Sequence, residues 1–415
     1  MQQFVQKWFR VSLASLALVA FLGCILRYKI LFPLPAVNQK YLLHAHSHFA
    51  FAGWVTQALM ACLVGCLAGS NKQVNIKKYD ALLGANIVCA YGMLVSFPFQ
   101  GYGLFSIIFS TLSIFVSYAF AFVYWRDLNR LPKNPSASWF KAAVLFNAVS
   151  SLGAFSLAFM MATKNTHEQW YMAAVYFFLH FQYNGWFFFG CMGLFTQYLS
   201  TRGLLQKHWQ KTFALFFLAV IPEYFLTVLW MSLPAWLYTI IVCATILQLA
   251  GFLFLVLSVK PVLKRLLTGV TVPAKWLAGM SALALSIKLA LQALSVIPSL
   301  NQLVFGFRPI VIGYLHLVFL GIVSLFLLAY ALQNKYLLQS RALVSGLYGF
   351  AAGIVVNELL LMAQGLGALW YINIPYINYM LLAAAVIMFL SAFNVAVNEY
   401  YIQKKQSLIF ISPVK

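Results

Sequence analysis

Apolar tracts of about 20 residues follow one another along almost the whole chain, separated by short polar loops. An α-helix of that length crosses the roughly 30 Å hydrocarbon layer of a bilayer, and helices and closed barrels are the only elements that satisfy every backbone hydrogen bond there. A window of this size predicts twelve spans, at 9–31, 43–69, 80–98, 101–125, 139–162, 170–199, 211–231, 235–258, 275–298, 308–331, 343–365 and 377–400. Composition points the same way, because 63% of residues are hydrophobic and 8% charged, against about 45–50% and about 25% in soluble domains. A soluble fold could not cover its surface with so few polar groups, and a disordered chain would not carry 17% aromatic residues. The expected fold class is an all-α membrane protein, a twelve-transmembrane-helix bundle forming a single domain over residues 1–415, without an obvious sequence repeat.

Lys and Arg outnumber Asp and Glu 27 to 6. A nucleic-acid binder would concentrate that charge on a solvated domain, and the loops leave no room for one, so no nucleic-acid partner is expected. Charge instead reads as topology. The N-terminus, the tail and the loops after even-numbered spans hold 21 basic residues, the opposite side only Arg27, Lys29, Lys40, Lys164 and Arg308, and Lys288 lies within a span. Short cytoplasmic loops accumulate such charge, so both termini are expected inside, in a plasma or bacterial-type inner membrane. The basic start followed by a 20-residue apolar run lacks the small residues of a cleavage site and is read as a retained first helix. Six cysteines fall in apolar tracts without a C-x-x-C pair and are read as core residues.

Five of seven histidines are exceptional in position. His44, His46 and His48 head the second span, His180 lies in the sixth and His316 in the tenth. All three spans run inwards, so the five rings share the outer third of the membrane. An intramembrane imidazole is costly and normally serves a partner, a proton path or a ligand. On a helix His44 and His48 share a face by their i, i+4 spacing while His46 points elsewhere. Acidic and thiol ligands are absent at that depth, which disfavours hard cations and leaves imidazole-binding iron or copper. Haem needs axial histidines, a flat apolar slot and cations for its propionates. The histidines, nearby Gly53, Gly185, Gly190, Gly313 and Gly321, and outer-side Arg27 and Arg308 match that list.

These residues resemble subunit I of the haem-copper oxidase superfamily, which includes terminal oxidases and nitric oxide reductases. His44-Ala45-His46-Ser47-His48-Phe49 through Gly53-Trp54 is similar to the family's second helix, His180 with Gly185-Trp186-Phe187-Phe188 to its sixth, and Gly313-Tyr314-Leu315-His316 with Gly321 to its tenth. The resemblance implies one low-spin haem b held by His316 and a histidine of the 44–48 cluster, with His48 preferred and His46 in reserve. It also implies His180 as the counterpart of one copper ligand. Tyr314 stands where the high-spin haem's proximal histidine is expected, and Leu229-Trp230 where the copper-binding pair is expected. The resemblance therefore implies the scaffold without a complete dioxygen-reducing centre, and copper is disfavoured.

The function expected is electron transfer, or gas or haem handling, by an oxidase-like oxidoreductase subunit with redox partner subunits. Glu223, beside Pro222, and Lys288 and Glu358 are proton-relay candidates, with a Lys288–Glu358 ion pair as the alternative. The same three residues would serve a twelve-span secondary transporter, the second hypothesis. A cofactor-free assembly subunit is the third.

Overall fold

A computed structural model describes residues 1–70, 74–132, 134–165, 167–300 and 307–411, with side chains through residue 402. The described residues form helices and no strand. In chain order these are α1 (Gln2–Leu31), α2 (Gln39–Ser70), α3 (Ile76–Gln100), α4 (Leu104–Leu128), α5 (Ser136–Ala162), α6 (168–201), α7 (Trp209–Val220 with Pro222–Val228), α8 (Ala235–Leu267), α9 (Val272–Ser295), α10 (Arg308–Gln333), α11 (Arg341–Leu369) and α12 (Ile377–Ile411).

Among the described residues ten helices are long and apolar enough to cross a membrane, and eleven if bent α7 counts as one crossing. The protein is therefore a multi-pass membrane protein. Twelve crossings were expected, and α6 is the one that falls short, because His180, Gln182 and Asn184 dilute its apolar middle. Local signals fix the helix ends. Asn38 accepts from the amides of Lys40 and Tyr41 to start α2, and Ser340 accepts from Leu343 N to start α11. Pro222 has no amide to donate, and α7 bends there by 46°.

The chain divides into two compact units. The first comprises residues 1–116, 271–281 and 320 onwards, and in it α1 packs on both α2 and α12, α2 on α3, and α11 on α12. One end of this unit gathers the start of α1, the loop between α10 and α11, and Glu399 of α12. Gln2 and Gln6 donate to the Lys335 carbonyl at 3.0 and 2.9 Å, Lys7 pairs with Asp80 at 2.8 Å, and Leu338 N donates to Glu399 at 2.9 Å. The other end carries the α1–α2 turn, where the Lys29 ammonium donates to the carbonyls of Leu34 and Val37.

The second unit comprises residues 117–270 and 282–319, with α5 against α6 and α7 against α8. In lipid, helices associate through close packing and polar contacts rather than through burial from water. At the α5–α6 crossing a Cβ on Gly153 would lie 2.5 Å from the Ala174 carbonyl oxygen and 2.7 Å from Phe178 N, so only glycine permits this approach. Trp139, Phe146, Phe189, Phe213 and Phe217 interlock beside it, with ring centroids between 5.1 and 6.4 Å.

Candidate functional site at the histidine-bearing helices

Each of the three helices that carry His48, His180 and His316 changes its winding just past that residue. Ala50–Thr56 follows His48, Phe181–Phe187 follows His180 and Leu317–Ser324 follows His316, and all three stretches are π-helical. Among the described residues these are the π-helical segments. An i→i+5 turn is rare and is frequently found at functional sites. Neighbouring side chains supply a physical cause, since they bond carbonyls within the widened turns. Asn86 donates to the Ala52 carbonyl at 3.0 Å, and Ser281 to that of Ile322 at 2.7 Å. Trp54 Nε1 donates to Ser324 Oγ at 2.8 Å, which ties the α2 segment to the end of the α10 segment.

The winding exposes a repeat that sequence reading missed. His48, His180 and His316 are each followed five residues later by a glycine, Gly53, Gly185 and Gly321, inside the π-helical stretch. They occur on α2, α6 and α10, four helices apart. The signal, His-x4-Gly three times at intervals of about 130 residues, is short enough to be hidden among the apolar letters around it.

In α2 the histidines divide as their spacing dictates. His44 and His48 face Phe97 and Tyr102: His48 stacks on Phe97 at 4.5 Å and its Nε2 shares a hydrogen bond with the Tyr102 hydroxyl at 3.0 Å. His44 lies edge-on to Tyr102 at 4.7 Å, with its Nε2 buried and without a hydrogen-bond partner. His46 turns to α1, where its Nδ1 meets the Val19 carbonyl at 3.1 Å and its Cε1 lies beside Gly23. A carbonyl only accepts, so Nδ1 carries the proton and Nε2 is left with its lone pair. That arrangement, one ring N–H held by a backbone carbonyl, is how metal-binding histidines are oriented.

His180 is fully buried and committed on both sides. Its Nε2 donates to the Val220 carbonyl at 2.7 Å, and Asn184 Nδ2 donates to its Nδ1 at 3.1 Å. Tyr314 packs edge-on to Tyr183 at 6.2 Å. Trp230 Nε1 donates to the Thr227 carbonyl in its own turn. Among the described residues no group of three or more His, Cys, Asp or Glu side chains is arranged to hold a metal ion. Arg308 is exposed at the first turn of α10. His316, one residue before its π-helical stretch, is half-buried.

Lys288 and Glu358 each have an opposite charge as a neighbour within their own unit. Lys288 lines one cavity with Glu223. Glu358 accepts from Asn357 Nδ2 at 3.1 Å and lies within electrostatic reach of Arg27, which also reaches His46. The pairing follows from helix neighbours that a linear chain does not display. No protein-family model matches this chain, and comparison with curated proteins finds no relative.

Proposed function

We propose that this is a haem-b-binding membrane protein of the haem-copper oxidase type, acting in electron transfer or in gas or haem handling. In this reading the chain crosses the membrane twelve times with both termini in the cytoplasm, α6 and bent α7 being the sixth and seventh crossings. His46 and His316 are the axial ligands, with Arg27 and Arg308 as the cations nearest the propionates in this reading and redox partner subunits as electron donors or acceptors. The carrying observation is the Nδ1 anchor of His46 on Val19, which leaves Nε2 ready to bind a metal and shifts the preference from His48 to His46. The π-helical turn after each intramembrane histidine supports the same reading. Bound haem would supply a one-electron iron couple.

Optical spectra of the purified protein, before and after dithionite, provide the test. A sharp reduced α-band of b type is expected, lost in His46→Ala and in His316→Ala and retained in His48→Ala. A protein without haem, or a band that survives both of the first two substitutions, overturns the proposal. The buried Glu223 and Lys288 favour a secondary transporter as the second reading, which expects no band at all.

A further inference from the structure

Inside the second unit Glu223, Gln248, Lys288 and Asn184 line a small cavity of about 10 Å³ between apolar walls that include Phe188 and Phe216. Glu223 is 1% exposed, Gln248 4% and Lys288 5%. Gln248 Nε2 donates to Glu223 Oε2, which fixes the carboxyl and the amide side by side. The two remaining oxygens, Glu223 Oε1 and Gln248 Oε1, are both buried and both without a hydrogen-bond partner. Each orphaned acceptor costs about 1–3 kcal/mol, more if charged. Two acceptors on adjacent groups cannot satisfy one another. A proton on Glu223 Oε1 removes both deficits together, because a carboxylic acid donates its O–H to the amide oxygen while accepting the amide N–H, closing a two-bond ring.

We propose that Glu223 is a proton-binding site, holding its proton as a neutral acid against Gln248 and releasing it to water when the carboxylate turns to Lys288 across the cavity. The exchange is one proton between the carboxyl group and solution, with no other bond made or broken. Other titratable groups facing Glu223 are Tyr183 from α6 and Tyr314 from α10, with His180 of α6 and its neighbour Tyr224 nearby. His180 joins the site through Asn184, which lines the cavity and donates to its Nδ1. This inference is independent of haem and concerns what the membrane interior does with a proton.

Infrared spectra of the full-length protein in detergent, recorded as a function of pH, test it. A carboxylic acid C=O band that disappears as pH rises is expected, absent in Glu223→Gln and present in Glu358→Gln. Lys288→Met should move the midpoint upward by roughly one to three pH units, since a neighbouring cation favours the carboxylate by that much. Gln248→Leu should shift the band frequency by removing the ring partner. Glu223→Gln copies the neutral acid, so it should unfold at the wild-type temperature or above. A fixed ion pair would instead lose substantial stability when one charge is removed. A band that survives Glu223→Gln, no pH-dependent acid band in the wild type, or a midpoint and frequency unmoved by both neighbouring substitutions overturns the site.

Discussion

His180 and His46 are both imidazoles inside a membrane protein, and their second nitrogens separate them. His180 spends both ring nitrogens on Val220 and Asn184, whereas His46 spends one on Val19. Replacing His180 with alanine removes two buried hydrogen bonds and leaves a void, so His180→Ala should cost about 2–5 kcal/mol, read as a lower unfolding temperature in detergent. Under the haem proposal, its haem-to-protein ratio should stay at the wild-type value, while that of His46→Ala should fall. Equal haem loss in both would mean that His180, too, reaches the iron. The sequence makes both histidines conspicuous because imidazole is rare in apolar tracts. It does not tell which carbonyl of which neighbouring helix meets each ring, and so it ranks His48 above His46 from depth and resemblance alone.

Helices were the most legible element, and their winding the least. Hydropathy locates the long helices, α6 least clearly, because lipid demands an apolar exterior, and Pro222 announces the bend in α7 because its ring removes a donor. A π-helical turn leaves hydropathy unchanged, since its cause is a side chain such as Asn86 or Ser281 arriving from another helix. Packing around the π-helical glycines makes them sensitive. A Cβ on Gly185 would lie 2.5 Å from Phe146 Cβ, an atom that cannot swing aside. Gly185→Ala should therefore destabilise by about 1–3 kcal/mol. Gly279 in α9 has open space where its Cβ would go and ordinary helical backbone, so Gly279→Ala should be neutral or stabilise by up to about 1 kcal/mol. Thermal unfolding of the two variants side by side measures the difference, and equal midpoints would remove the packing argument.

At the scale of the whole molecule, the contacts of Gln2 and Gln6 with Lys335 and of Leu338 with Glu399 bring α1 and α12 to the same end of their unit. With the charge asymmetry, this leads us to expect a reporter fused after residue 402 to be active only in the cytoplasm, and one inserted at residues 164–165 only outside. The opposite result would overturn the expected topology and, with it, the expectation that the histidines share one depth. The Lys7–Asp80 pair at that end is half exposed, with side chains 50% and 43% accessible, so Lys7→Ala should change stability by less than about 1 kcal/mol. The meeting of α1 and α12 also bears on how the chain could be rewired. If a short linker joined residue 402 to residue 1 and the chain were reopened before Ser136, the order of segments would rotate by four helices. His180 would then occupy the place in the order now held by the α2 cluster, with every loop still on its own side. Such a permutant should insert and fold, because the last helix already lies beside the first and the new opening falls between α4 and α5.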